Sequence, residues 1–244
     1  MLRRLLALLM LCQAASVVPA IAEDGDARMS DRAAAMQQPK QLPRRGMQKF
    51  EVKDPADFAG GKEEALFSGP QVGEKLPQFT ATGVRGEFKD KRFDPVSLAE
   101  GGPQVIVFQD ESPVGLRGML AFSRAVAKIS ERSGTDIHYS AIFLGDDPVK
   151  MSELATKVVK HVPEGVQLGV SEGGRDGPGA YGLNRNAAMT VLVAQDGIVT
   201  HSFAFTQPML YPDPHVLGAL AAAVNQDRET VQGWLNAEAN VGAR

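Results

Sequence analysis

The sequence predicts an α/β fold in which a mixed β-sheet lies in the middle of a three-layer sandwich. Continuous apolar runs alternate with amphipathic helical patterns, as in parallel strands joined by helical crossovers. Two later strand-like runs are separated only by Asp196-Gly197, a pair that favours a tight hairpin turn. A last apolar helix follows this hairpin, which we therefore place at one edge of the sheet.

The first half of the predicted domain contains a hairpin, two buried strands and the helix between these strands. Residues 79–84 and a second piece near Phe88 predict the hairpin or a pair of extended segments. Residues 104–108 and 137–144 are apolar runs typical of strands buried on both faces. The helix between them ends at Gly134, and its apolar positions recur every three or four residues: Leu116, Met119, Phe122, Val126 and Ile129.

The second half continues the alternation and then changes to the hairpin. Residues 148–162 predict a second amphipathic helix, and residues 166–170 predict a third short strand. A glycine-rich loop at 173–179 leads to the hairpin strands at 190–194 and 198–205. The remaining apolar positions predict a last core helix and a short tail helix: Val216, Leu217, Leu220, Val224, Val231, Trp234 and Leu235.

Three of the predicted helices begin with a capping residue followed by proline. The capping oxygen accepts a hydrogen bond from an N–H group of the first turn, and proline suits the first helical position because no partner awaits its missing N–H. We expect Ser112 to be such a cap, which is worth about 1 kcal/mol. The three pairs are Ser112-Pro113, Asp147-Pro148 and Asp213-Pro214.

Composition excludes several classes of function. The 244 residues include 26 Lys+Arg and 29 Asp+Glu, so there is no basic excess of the kind that nucleic-acid binders have. The histidines are scattered and no pair has the close spacing of a metal motif. We therefore expect no metal and no other cofactor. The histidines are His138, His161, His201 and His215.

The first 22 residues predict a signal peptide. Arg3 and Arg4 supply the positive end, residues 5–11 the apolar run, and Ala20-Ile21-Ala22 the cleavage site. The apolar run is shorter than the roughly 20 residues that a membrane span requires. We expect an exported protein, periplasmic or extracellular, with no integral membrane segment after cleavage.

Cys12 is the only cysteine in the chain, and signal cleavage would remove it. Peroxide reduction, disulfide exchange and thiolate metal binding are then excluded for the mature protein. A lipid anchor on Cys12 is an alternative, although Leu11 stands where bacterial lipoproteins normally have a small residue.

The remaining chain divides into three parts. Residues 23–73 are rich in Ala, Gln, Pro, Gly and charged residues and predict a flexible N-terminal spacer. Residues 74–226 form the predicted α/β domain, and residues 227–244 form a C-terminal helical tail.

Four segments of this domain carry a family resemblance: residues 72–79, 181–183, 189–193 and 196–199. They resemble the redoxin family, which includes peroxiredoxins and exported thioredoxin-like thiol oxidoreductases, and residues 72–79 resemble the opening of these proteins. Residues 181–183, 189–193 and 196–199 are similar to the family segments Tyr-Gly-Val, Pro-Thr-Thr-Phe-Leu-Ile and Asp-Gly-Lys-Ile. The similarity spans residues 72–224 and implies a thioredoxin-like sandwich with an N-terminal extension.

The residues that carry redoxin chemistry are missing where this resemblance would place them. The reactive cysteine falls on Ser112 and its partner on Gly115, and a register shifted by one residue restores neither thiol. The cis-proline of the family falls on Ala188. A cis bond before another residue costs about 3–4 kcal/mol, so we expect a trans peptide and an altered groove. A serine nucleophile would need a base, and only His201 is available.

Arg117, Arg185 and Asn186 are the candidate binding residues. The resemblance places them near the former groove, where the two arginines could hold an anion or a partner carboxylate. The alternative is that each arginine is solvated or pairs with a local acid. These acids are Asp110, Glu111 and Asp176.

We therefore expect a redox-inactive thioredoxin-like module that binds a protein or peptide through the groove or a sheet edge. The alternative is a cysteine-independent enzyme or small-ligand receptor that uses polar groups at the former active site. Thiol-dependent peroxidase or disulfide oxidoreductase activity is the least favoured function, and no residue is assigned as catalytic.

Overall fold

The computed structural model describes residues 49–58, 66–207 and 209–237. The predicted signal peptide, residues 23–48 and 59–65 of the predicted spacer, and residues 238–244 of the tail lie outside these ranges. Within the described ranges, no helix combines the length and the apolar composition that crossing a membrane would require.

A seven-stranded mixed sheet lies at the centre of the fold. Its strands are β1 (Ala81–Gly83), β2 (Arg92–Phe93), β3 (Gln104–Gln109), β4 (His138–Phe143), β5 (Val166–Ser171), β6 (Met189–Gln195) and β7 (Ile198–Phe205). Their spatial order is β2-β1-β5-β4-β3-β6-β7. The β3, β4 and β5 strands are parallel, whereas β6 pairs antiparallel with both β3 and β7. This pairing confirms the predicted parallel core and hairpin edge.

Helices cover the two faces of the sheet unequally. The helices are α1 (Pro95–Leu98), α2 (Pro113–Ser133), α3 (Pro148–Val158), α4 (Pro214–Ala223) and α5 (Arg228–Asn236). The α2, α4 and α5 helices contact one another on one face, where α3 packs on β5. The other face is covered by α1, by a 3-10 turn at Gly179–Tyr181 and by the segment that precedes β1. The three layers are those of the predicted sandwich.

The central strand β3 contributes to a separate apolar core on each face. Val105 and Val107 pack with the long helices, whereas Ile106 and Phe108 pack with Tyr181 on the opposite face. Successive side chains of a strand point to opposite faces, and every residue of β3 is buried. The continuous apolar run in the sequence follows from this double burial.

Aspartate caps fix the starts of several helices. The predicted caps Asp147 and Asp213 are confirmed, since each carboxylate accepts bonds from the N–H groups of the second and third helical residues. Asp94 and Asp54 likewise precede prolines and cap α1 and a 3-10 turn, each by accepting the N–H group of the second residue, and the sequence analysis missed both. The Leu116 N–H donates to the Ser112 carbonyl, so Ser112 directly precedes α2.

Residues 49–58 form an N-terminal strap across α4 and α5, which corrects the prediction that residues 23–73 are a flexible spacer throughout. The Asn236 side chain bonds both backbone polar groups of Phe50, at 2.8 and 2.9 Å. The Lys53 carbonyl lies so close to Gly218 that a Cβ there would be 1.8 Å from its oxygen. The Phe58 ring packs edge-on against a β7 aromatic ring 5.0 Å away.

Residues 66–73 also belong to the domain. The buried Ser68 hydroxyl bonds the Thr190 hydroxyl on β6 at 2.6 Å. The Gly73 N–H donates to the Val199 carbonyl on β7 at 2.8 Å. These tertiary bonds hold the described part of the predicted spacer against the sheet. The C-terminal tail is likewise anchored, because Val231 and Leu235 of α5 are buried in the core.

Arg85 forms hydrogen bonds with four backbone carbonyls in the segment that leads from α3 into β5. Its guanidinium donates to Val162 at 3.1 Å and to Glu164 at 2.7 Å, and also to the carbonyls of Pro163 and Val166. Burial lowers the pKa of the Arg85 guanidinium, which nevertheless stays charged at neutral pH.

We expect Arg85→Met to lower the free energy of unfolding by about 1–3 kcal/mol, because charge-assisted bonds to the carbonyls are lost. Urea denaturation checks this value. The matched control is Arg92→Met, because Arg92 is exposed and forms only a surface ion pair with Glu172. That pair contributes at most about 1 kcal/mol. If both variants lowered the free energy of unfolding equally, the Arg85 bonds would contribute no more than the surface ion pair of Arg92.

Candidate functional site

The predicted site residues lie where β3 ends and α2 begins, which we call the α2 end of the sheet. The Asp110 N–H, two residues before Ser112, donates to the Ala188 carbonyl at 3.1 Å. The Ala188 N–H in turn donates to the Phe205 carbonyl at the end of β7, at 2.8 Å. The fold thus brings the beginning of α2 beside the loop that precedes β6.

The backbone at Ala188 is bonded within the chain. The Ala188 N–H donates to the Phe205 carbonyl on β7, and the Ala188 carbonyl accepts the Asp110 N–H. This residue therefore offers no free N–H to a bound peptide. No cis peptide occurs within the described ranges, and the Ala187–Ala188 bond is therefore trans.

An acidic residue organises the backbone before α2. The Asp110 Oδ1 atom accepts the Ser112 N–H at 3.0 Å and the Gln109 side-chain amide at 3.1 Å. A carboxylate beside residue 112 would oppose a thiolate at this place, because like charges destabilise each other. This environment differs from the electropositive surroundings that activate cysteines.

The structure separates His201 from Ser112. His201 lies four residues before Phe205 on β7, and Phe205 marks the α2 end. Four residues of a strand span about 13 Å, far beyond hydrogen-bond reach. The only histidine considered as a base for Ser112 therefore lies away from it, and its position gives no support to a serine nucleophile.

An open cleft of about 440 Å³ lies between the residues that precede α2 and the outer side of α3. At its rim the Lys150 ammonium group lies 2.6 Å from the Glu111 carboxylate. This bond raises the pKa of Lys150, and both side chains are exposed to solvent. The cleft is therefore a solvated surface at which Glu111 and Lys150 pair with each other.

The candidate binding residues occupy different elements. Arg185 forms a two-pronged bond with Asp176, at 2.5 and 2.7 Å, which lowers the pKa of Asp176. The Asn186 N–H donates to the Asn184 side chain within the same loop. Arg117 is exposed on α2, and across the described part of the chain no other residue forms an ion pair with it. Of the two arginines, Arg117 is thus the one available to a partner.

Exposed apolar side chains at the α2 end were missed by the sequence analysis. Six large apolar side chains are exposed among the described residues, and four of them lie here: Phe67, Val149, Leu210 and Tyr211. The Phe67 carbonyl accepts the Asn184 amide at 3.2 Å, beside Arg185. Val149 directly precedes Lys150 at the cleft. These residues lie at loops and a helix start, where no periodic pattern marks exposure.

A close backbone contact places Leu210 and Tyr211 beside α2. A Cβ at Gly118 would lie 1.4 Å from the Met209 carbonyl oxygen, so the loop after β7 touches the helix backbone. Leu210 follows Met209, and Arg117 precedes Gly118. The two exposed apolar residues and the available arginine are therefore presented by neighbouring backbone segments.

No family model and no curated protein matches this chain. Similar solved structures include one assigned as thiol:disulfide interchange protein DsbE from Chlorobium tepidum, at 18% identity and TM-score 0.47, covering 63% of this chain and 98% of that one. Peroxidoxin BcpB from Mycobacterium tuberculosis has 17% identity and TM-score 0.43, covering 64% and 96%. Yeast mitochondrial 1-Cys peroxiredoxin has 13% identity and TM-score 0.44, covering 63% and 74%.

The order of the elements defines the class of protein. Parallel strands β3, β4 and β5 joined by α2 and α3, followed by the β6-β7 hairpin and α4, make a thioredoxin-like α/β fold. Ser112, Gly115 and Ala188 stand where the resemblance places the two cysteines and the cis-proline. The chain thus has a thioredoxin-like fold and carries no cysteine at residue 112 or 115.

Proposed function

We propose that the mature chain is an exported thioredoxin-fold protein that binds a protein or peptide partner and performs no thiol chemistry. The observation that carries this proposal is the concentration of exposed apolar side chains at the α2 end, where redoxins have their reactive thiol. Export is supported by the signal-peptide pattern of the first 22 residues.

The composition of this surface is typical of a protein interface. Leu210 and Tyr211 are each nearly half exposed, and Phe67 is two-thirds exposed, at 66%. Aromatic residues and arginine supply most of the binding energy in protein interfaces. Arg117, on the backbone segment next to Leu210 and Tyr211, adds a donor for a partner carboxylate. A binding role for this surface explains why the fold is retained although its thiol chemistry is absent.

The surface is also held in place before any partner binds. The contact between Gly118 and Met209 fixes the loop that presents Leu210 and Tyr211. A preorganised loop loses less conformational entropy on binding, which leaves more of the contact energy for affinity.

The alternative, a cysteine-independent enzyme or small-ligand receptor at the same end, has weaker support. The cleft beside Ser112 is open, and its Glu111 and Lys150 charges satisfy each other. Ligand sites usually enclose most of the ligand surface and direct a few polar groups inward.

Two measurements on the mature chain, residues 23–244, test this function. We expect no enzyme-dependent consumption of hydrogen peroxide and no disulfide reduction in the presence of a thiol reductant. We also expect crosslinked pull-down from the exported fraction to recover a partner that Leu210→Ser/Tyr211→Ser loses at least about fivefold, as for an interface hot spot.

The matched control is Val72→Ser/Ile198→Ser, which removes two exposed apolar side chains from another surface. It should retain the partner. Thiol turnover by the wild-type chain would overturn the redox-inactive assignment. Equal recovery by both double variants would show that the partner binds elsewhere, and recovery of no partner would sink the binding proposal.

A further inference from the structure

A second cleft, of about 520 Å³, lies at the opposite end of the sheet from Ser112. It is formed where β6 ends, β7 begins and α4 ends, so it is separate from the surface proposed above. Its lining residues are Pro103, Thr135, Gln195, Thr200, His201 and residues 222–225. None of these side chains is formally charged at neutral pH when the histidine is neutral.

The contacts of Thr200 at a β-bulge favour one tautomer of His201. Thr200 has no partner on β6, because the register shifts between Val193 and Ala194. Its hydroxyl lies 3.1 Å from the Val193 carbonyl oxygen and 3.2 Å from the His201 Nδ1 atom. The hydroxyl has one proton, so both contacts are hydrogen bonds only when it donates to Val193 and Nδ1 donates to it. In this tautomer Nε2 of the neutral ring is a hydrogen-bond acceptor.

His201 favours its neutral form at neutral pH. Burial lowers the pKa of the His201 imidazole, and the Asp54 carboxylate opposes this change only partly. Asp54 is itself paired with Arg228 at 2.9 Å. The acceptor at Nε2 is therefore present in the form that prevails near pH 7.

Two more acceptors lie at the same cleft. The Gln195 amide nitrogen donates to the Gly101 carbonyl at 3.1 Å, which leaves its side-chain oxygen available. The Ala221 and Ala222 carbonyls at the end of α4 accept N–H groups of the following turn. No such bond from a described residue reaches the Ala223 carbonyl. The negative end of the α4 dipole thus faces this region.

We propose that this cleft binds a primary alkylammonium group. An ammonium carries three donors and no acceptor, which matches the His201 Nε2, Gln195 Oε1 and Ala223 carbonyl acceptors. Pro103, Ala222 and Val224 supply apolar contacts for the attached carbon chain. The same chemistry occurs in a free small amine and in a lysine side chain of a peptide.

A ¹H–¹⁵N NMR titration of the mature chain with n-butylammonium chloride tests this proposal. We expect saturable shifts at Thr135, Gln195 and residues 223–225, and none with sodium butyrate or n-butanol at equal ionic strength. Nα-acetyl-lysine methylamide tests the second source. Tighter binding of this probe indicates a lysine side chain, whereas tighter binding of butylammonium indicates a free amine.

Variants separate a specific site from weak surface binding. His201→Phe and, independently, Gln195→Met should each weaken butylammonium binding by about fivefold, because each removes one acceptor. His161→Phe changes an exposed histidine outside the cleft and should leave the affinity unchanged. Unchanged shifts elsewhere in each spectrum show that the fold is intact. Saturation by butyrate, or full affinity in both cleft variants, would overturn the proposal.

Discussion

Gly118→Ala is expected to lower the free energy of unfolding by about 3 kcal/mol or more, the upper range for overpacking. The new Cβ would lie 1.4 Å from the Met209 carbonyl oxygen and 2.5 Å from its carbon, so one backbone must move. For a protein of this size, the loss corresponds to a decrease in Tm of about 6 °C or more. Urea denaturation and calorimetry measure the two quantities.

The matched control is Gly233→Ala in α5, where an added Cβ meets no atom within 4 Å. Alanine is the better helix former by about 1 kcal/mol, so this variant should be as stable as the wild type or more stable. The two changes are chemically identical and have opposite expected signs. A Gly118→Ala protein of wild-type stability would show that the loop is not held against α2, and the preorganised surface proposed at Leu210 and Tyr211 would lose its basis.

The central elements could be predicted because their burial repeats along the sequence. The run at 104–108 predicts a strand observed at Gln104–Gln109, and the Asp196-Gly197 turn connects β6 and β7 as predicted. The α1 helix has only four residues, which is too short to show a helical period. Its start could have been found from the Asp94-Pro95 pair, the same signal that identified α3 and α4.

The N-terminal strap could not be predicted from local pattern. Phe50, Val52 and Phe58 are isolated apolar residues within a polar stretch. The side chains that bond the first two are Asn236 and Gln232, 186 and 180 residues further along the chain. A segment stabilised by such distant partners shows no periodicity of its own, so its composition alone resembles that of a spacer.

The candidate site could be predicted only in part from the sequence. The lack of a thiol at residue 112 follows directly from the residue types, as does the acidic environment before α2. Three acids were possible partners for the arginines, and only the fold shows that Asp176 binds Arg185. The exposure of Leu210 depends on the contact between Met209 and Gly118, which joins residues about 90 positions apart.

A cysteine placed at residue 112 is expected to be a poor nucleophile at pH 7, with a thiol pKa at or above the ordinary value of about 8.5. The Asp110 carboxylate bonds the N–H of residue 112 at 3.0 Å, and Glu111 is adjacent in the chain. The Asp110 charge opposes the stabilisation of a thiolate by the α2 dipole, whereas the Glu111 charge is offset by its pairing with Lys150. The rate of reaction with a disulfide reagent between pH 5 and 10 gives the pKa of Ser112→Cys. Residues 23–244 contain no other thiol, so in this form of the protein the signal comes from residue 112 alone.

Adding Asp110→Asn to this variant should lower the thiol pKa by about one unit and raise the thiolate fraction at pH 7 about tenfold. The control is Asp136→Asn in the same Ser112→Cys background, because Asp136 lies near the opposite end of the sheet and is 85% exposed. That control should leave the reaction rate unchanged. A Ser112→Cys pKa below 7 without further change would mean that the site still favours a thiolate. The missing cysteine would then be a single substitution in an otherwise reactive site, and the surrounding acids would no longer count against thiol chemistry at this place.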